Sequence, residues 1–227
     1  MTRPYVVLSV ATSVDGYLDD TSPERLLLSN DTDFDRVDQV RAESDAILVG
    51  AETIRRDNPR LIVKNQARQA DRIAAGKSAN PRKITVTASG DLDPDAKFWH
   101  HGVEQKPVVY TTNAGAEKLA GRIGDLAEIV PLGEAVDFGA LVDDLATRGV
   151  GCLMVEGGGH IHTAFLSAGL ADELLMAIGP TLVGQSEAPR FVHPASYPGG
   201  PARRMRLVDV TQIGDIALLR YHPKEDS

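Results

Sequence analysis

The stretch Leu153-Met154-Val155-Glu156-Gly157-Gly158-Gly159, continuing into His160-Ile161-His162-Thr163-Ala164-Phe165, decides the fold. An apolar strand ends in a carboxylate and then in three consecutive glycines. After them, Ile161, Ala164, Phe165 and Ala168 recur at helical spacing. Strand, glycine turn and helix in that order gather backbone N–H groups and the positive end of the helix dipole at one spot. The sequence therefore predicts a turn that admits an anionic group closely, with an acid beside it.

Upstream, Tyr5 to Val10 is a β-branched, largely apolar run that delivers Ser13, Val14, Asp15 and Gly16 to a turn. Thr32 with Asp35 predicts a helix start, with Phe34, Val37, Val40 and Ser44 facing inward and Arg41 near the end. Ala46 to Val49 is a second buried strand, followed by Gly50, a short helical segment around Thr53, and the breaker Asp57-Asn58-Pro59. Residues Gln66 to Arg82 are polar, basic and without clear period, and read mainly as an exposed excursion. Apolar runs and helical patterns then alternate: Ile84 to Ala88, Val108 to Thr112, a helix from Ala116 to Ile123, Ile129 to Leu132, and a helix from Phe138 to Thr147.

Strands that are short and continuously apolar are buried on both faces, and their alternation with helices predicts a mostly parallel, layered α/β sheet. The tail differs. Leu174 to Ile178, Arg206 to Thr211 and Ile216 to His222 are strands with little helix between them, and Gly214-Asp215 predicts an antiparallel hairpin. No repeat or composition shift divides the 227 residues, so a single domain, 1–227, is expected.

The hydrophobic share of 42% and charged share of 25% suit a globular chain. A net charge of −8 disfavours nonspecific nucleic-acid or anionic-membrane binding, and 5% aromatic residues disfavour an extended base-stacking surface. One local basic run opposes the overall sign: Arg55, Arg56, Arg60, Lys64, Arg68 and Arg72 stand among only Asp57 and Asp71. It reads equally as an anion-binding patch or a solvated loop. The single cysteine, Cys152, excludes an internal disulfide and reads as a small buried hydrophobe. No leader pattern opens the sequence and no apolar run approaches the roughly 20 residues of a membrane span, so a cytoplasmic protein is expected.

Polar sets at strand ends are the candidate site: Ser13 with Asp15, Thr53 with Asp57 and Asn58, and Glu156 with the triple glycine. Ligands of open α/β sheets bind outside the carboxyl ends of parallel strands, so the three sets are expected to converge on one cleft, although a Ser or Asp after a strand is by itself more often a turn or helix cap. Several chemistries lack their residues. The glycine turn is not G-x-G-x-x-G, because His162 stands where the third glycine belongs, and Gly76-Lys77-Ser78 has Asp71 in place of the first P-loop glycine. His160 and His162 are two apart and diverge, so no metal is expected, and neither a zinc-deaminase signature nor a G-x-S-x-G elbow is present. An anion-binding cleft with carboxylates and no built-in nucleophile suits an enzyme that takes its reactivity from a soluble cofactor.

The ordered series Ser13-Val14-Asp15-Gly16, Arg41 through Gly50, Thr53 through Leu61, Val155 to Gly159, and Phe165-Leu166 with Gly169-Leu170 and Asp172-Glu173-Leu174 resembles the riboflavin-biosynthesis reductase family, the RibD C-terminal domain. The resemblance implies a dihydrofolate-reductase-like three-layer α/β sandwich, with a mostly parallel central sheet and a C-terminal antiparallel hairpin. It also implies a homodimer that reduces a phosphoribosylamino-pyrimidine with NADPH, opening the ribose to a ribityl chain. Family positions for NADPH fall on Ala11, Thr53, Asp57, Ser89 and Gly157, Gly158, Gly159, His160, Ile161, His162, Thr163 and Ala164. Those for substrate fall on Arg41, Leu61, Lys64 and Glu156. Glu156 and Asp15 are the candidate catalytic residues, Asp15 either handling the nicotinamide amide and a proton or serving only its turn. Ser9 and the stretch Leu26-Leu27-Leu28 stand where many bacterial members carry a lysine and a tryptophan-containing loop. A dihydrofolate-like reductase of another pterin or pyrimidine, or a non-catalytic NADPH-binding regulator, thus stays open beside the leading reading.

Overall fold

The structure, a computed structural model, describes residues 2–201 and 204–223. The chain divides into two compact units: residues up to Pro4 with Asp38–Met154, and Tyr5–Val37 with Val155 onward. Each contains strands that are largely buried.

In the first unit, β2 (Ala46–Gly50), β3 (Arg82–Thr87), β4 (Val108–Thr111) and β5 (Glu128–Pro131) pair in parallel, after β1 (Tyr5–Thr12) of the second. All five residues of β2 are buried, and Ile47, Leu48, Ile84 and Val109 have no measurable exposure. Removing each such side chain from water is worth about 1.5–3 kcal/mol. The helices here are α2 (Ala51–Asp57), α3 (Gln66–Ala74), α4 (Lys97–His100), α5 (Asn113–Ile123) and α6 (Phe138–Thr147). Side chains close their first turns: Asn65 accepts from Ala67 N and Arg68 N, Thr112 from Gly115 N, and Asp137 from Ala140 N.

In the second unit β1 pairs in parallel with β7 (Glu173–Ile178), which pairs antiparallel with β9 (Ile216–His222), itself antiparallel to β8 (Arg206–Ile213). Ile213 faces Ile216 across Gly214-Asp215, with Gly214 at φ 64°, a two-residue hairpin as expected. The helix α7 (Gly159–Ser167) follows β6 (Cys152–Gly157), the strand whose first half belongs to one unit and second half to the other. Among the described residues the sheet order is β5-β4-β3-β2-β6-β1-β7-β9-β8, a mostly parallel α/β sheet ending in the antiparallel hairpin that the sequence predicts.

Three local expectations are corrected. The helix α1 (Asp31–Glu43) starts one residue before Thr32, because Asn30 Oδ1 accepts from Asp33 N at 3.0 Å. Its buried positions are acids, Asp33 and Asp38, while Phe34 is 37% exposed; Ser44, just past its end, is buried as expected. The excursion at Gln66 to Arg82 begins as a helix, α3, whose one buried residue is Arg72, so no apolar stripe advertises it. The short α4, with Phe98 and Trp99 buried, was also not evident from periodicity.

Candidate functional site

In the second unit, β6 ends in Glu156, half-buried, and Gly157. Gly157 and Gly158 take φ 148° and 90°, values that favour glycine, and Gly158 caps α7 with no side chain bonded to the helix start. Gly159 is required by contact: a Cβ there would stand 2.4 Å from Arg190 O. The turn is thus a cradle of backbone amides at the positive end of a nine-residue helix. His160 and His162 diverge, as their spacing predicts: His160 is exposed and stacks on His193, and His162 is fully buried. Burial pushes His162 down to about 4, so it is neutral at physiological pH.

The turn after β1 is held by Asp15. Its carboxylate accepts from Ser13 Oγ at 2.6 Å, Gly184 N at 2.7 Å and Val183 N at 3.1 Å, while Tyr17 N donates to Ser13 Oγ at 2.9 Å. The Ser13 hydroxyl and then the two amides hold the Asp15 carboxyl below its ordinary range. An ionised, fully engaged carboxylate is suited to positioning the 183–184 loop. Ala11, half-buried on β1, sits opposite Ala177 of β7.

The first unit holds the other candidates. Leu61 is buried at φ 49° and Asn58 caps α2 at φ 42°, two left-handed residues on either side of Pro59-Arg60. A bulky residue in that region is strained and must be held by its surroundings. Side chains hold the segment after it: Asp38 accepts from Lys64 N at 2.5 Å and Asn65 N at 3.2 Å, Asn80 Oδ1 from Val63 N at 2.9 Å, and Arg41 donates to Ile62 O at 3.2 Å. Arg41, Leu61 and Lys64 are therefore brought to one place, with the Lys64 side chain exposed. Thr53 and Asp57 lie one turn apart on α2. Ser89 is exposed in the turn after β3, where its Oγ accepts from Asp91 N at 3.3 Å and Arg55 holds Asp91 O at 2.8 Å.

Much of the basic run is structural. Arg55 pairs with Glu52, Arg68 with Asp38, and Arg72 is buried against three carbonyls. Cys152 is a free thiol, half-buried, and burial pushes its pKa up, away from a nucleophile's range. Asp38, Arg190 and His193 escape a reading by sequence: Asp38 sits on a helix face expected to be apolar, and the other two lie in a loop without period. Among the described residues no helix is long and apolar enough to cross a membrane, and no group of three or more His, Cys, Asp or Glu is arranged to hold a metal ion.

The chain is 33% identical over 214 residues to a 2,5-diamino-6-ribosylamino-4(3H)-pyrimidinone 5′-phosphate reductase of Archaeoglobus fulgidus, covering 94% of this chain and 95% of that one. It is 31% identical over 224 residues to the protein of the same name from Methanothermobacter thermautotrophicus, covering 98% and 99%. A crystal structure of a pyrimidine reductase-like protein from Corynebacterium diphtheriae superposes with a TM-score of 0.78 at 23% identity, covering 98% and 93%, a likeness of fold. The profile of the RibD C-terminal domain matches residues 4–219, and the chain belongs to that family.

Proposed function

We propose that residues 4–219 work as one NADPH-dependent reductase domain of riboflavin biosynthesis. Its substrate is 2,5-diamino-6-ribosylamino-4(3H)-pyrimidinone 5′-phosphate or the corresponding 5-amino-6-(5-phosphoribosylamino)uracil. The observation that carries the reading is the glycine turn with its uncapped helix start beside Glu156. Relatives named for this reaction match nearly end to end and support the substrate class.

In the reaction C1′ of the ribose gains a hydride, its bond to the ring oxygen breaks, and that oxygen takes a proton. The bound cofactor supplies the hydride. The turn suits its diphosphate, since Gly157 and Gly158 hold positive φ and no side chain is bonded to the start of α7. Gly157 through Ala164, Ala11, Thr53, Asp57 and Ser89 are the proposed cofactor contacts. Arg41 and Lys64 suit a substrate phosphate, the first by its fork and the second as a point charge. Leu61 lines the same segment, and Glu156 holds polar groups of the pyrimidine or ribose. Asp15 positions the loop at 183–184.

Incubating the protein with NADPH and each candidate pyrimidine or pterin, while following loss of NADPH absorbance, tests the reading. Oxidation with dihydrofolate alone favours a dihydrofolate-like reductase, and cofactor binding without oxidation favours a regulator. Glu156→Gln is expected to lower turnover by about 100-fold while NADPH affinity stays within about twofold. Unchanged turnover removes Glu156 from the substrate site. Asp15→Asn in the same assay is expected to lose activity without a new titration in the pH profile.

We also propose a cytoplasmic homodimer joined through β8. The strand forms an edge of the sheet, its first seven residues are exposed, and these include Leu207 at 51% and Val210 at 57%. A monomer mass in light scattering at working concentration overturns the dimer.

A further inference from the structure

Residues 189–193 form a strap fixed at both ends within the second unit. At one end Leu18 N donates to Pro189 O at 2.8 Å and Phe191 N to Gly16 O at 3.1 Å. Arg190 donates to Tyr17 OH at 2.6 Å, with its guanidinium 4.3 Å from that ring's centre. At the other end His193 N donates to Thr163 Oγ1 at 2.9 Å, and Thr163 Oγ1 donates to Gly159 O at 2.7 Å.

The strap brings the His193 ring face to face with that of His160, centres 4.0 Å apart and planes 17° apart. A Cβ at Gly159 would lie 3.0 Å from His193 Nε2, so the ring borders the start of α7. On the same turn His162 is fully buried, meets Phe191 of the strap at 5.3 Å, and has no hydrogen-bond partner at either ring nitrogen. His162 shares the helix start with His160, the Arg190 guanidinium is engaged by Tyr17, and the Tyr197 hydroxyl donates to His193 O.

The stacked pair sets two protonatable rings at the positive end of a helix, in a chain of net charge −8. Two stacked imidazoles cannot both be charged at low cost, and the positive end of the helix opposes even one proton. Burial, and then His160, keep His193 below its ordinary pKa. An anion at the helix start reverses the balance, because it favours the protonated ring and gives the imidazolium a partner.

We propose that His193 is a further cofactor-site residue: with His160 it holds one proton that the diphosphate of a nucleotide cofactor draws in at the start of α7. The proposal rests on the glycine turn being the diphosphate site. The linkage has a definite sign: a group whose pKa is raised on binding makes affinity fall as pH rises through the window between its free and bound values.

The test is calorimetric binding of ADP-ribose, whose diphosphate stays ionised throughout, to the full chain from about pH 6 to about pH 8.5. Wild type is expected to take up protons on binding and to weaken by up to about tenfold per pH unit within the window. His193→Gln is expected to bind with little pH dependence. In free His160→Gln, the His193 ring is expected to titrate by nuclear magnetic resonance at a higher pH than in wild type. A pH-independent wild type, a His193→Gln protein that keeps the slope, or an unmoved His193 titration in His160→Gln each overturns the role of His193. No binding of ADP-ribose by wild type overturns the glycine-turn reading itself.

Discussion

Gly159→Ala is expected to weaken NADPH binding by at least about tenfold and to destabilise the protein by about 1–3 kcal/mol, despite placing a better helix former on a helix. The new methyl group would stand 2.4 Å from Arg190 O and 3.0 Å from His193 Nε2, so backbone of the strap must move. That movement shifts the amides at the start of α7. Gly121→Ala is the control: Gly121 is exposed on α5 with nothing within 4 Å of a Cβ, and alanine there is expected to stabilise by about 0.5–1 kcal/mol. Thermal unfolding and cofactor titration of the two variants check the contrast. Equal, small effects at both positions would show that the strap yields freely.

Arg72→Met is expected to cost about 2–5 kcal/mol in the first unit, about 1–3 kcal/mol for each buried carbonyl left without a donor and less where water reaches one. Arg72 is 5% exposed, and its guanidinium donates to Ala42 O at 2.7 Å, Ser44 O at 2.6 Å and Ser78 O at 2.9 Å. Methionine keeps most of the volume and removes every donor, leaving carbonyls at the end of α1 and before β3 unpartnered. Arg72→Lys, with a single ammonium in place of the fork, is expected to recover only part of the loss. Denaturant unfolding measures both. A methionine variant within about 0.5 kcal/mol of wild type would mean that water reaches those carbonyls.

These two residues also mark how far the sequence could be read. Gly159 was legible because its message is local: an apolar strand, three glycines and a helical repeat are adjacent in the chain. The bounds of α6 and β9 and the Gly214-Asp215 hairpin were legible for the same reason. Arg72 was not, since its partners Ala42 and Ser44 lie about 30 residues away on another element. A helix that packs through an arginine carries no apolar period, so α3 read as loop.

The candidate site divides in the same way. Glu156, Asp15 and the glycines stand at strand ends that the sequence identifies through breaks in apolar runs. Their surroundings come from contacts between distant segments. Asp15 is engaged by Val183 and Gly184, 168 and 169 positions on, and Lys64 N is fixed by Asp38 across 26.

The sequence by itself determined the mostly parallel α/β sheet, its antiparallel end, the glycine turn and the kinship to the RibD C-terminal domain family, because periodicity, turn chemistry and motif order are written in neighbouring residues. Only the tertiary structure decided that acids line the inner face of α1, that Leu61 is held left-handed by side chains from α1, and that a loop without pattern lays His193 against His160. Each of these depends on which segments meet in space, and a buried polar contact is specified by both partners together and by neither alone.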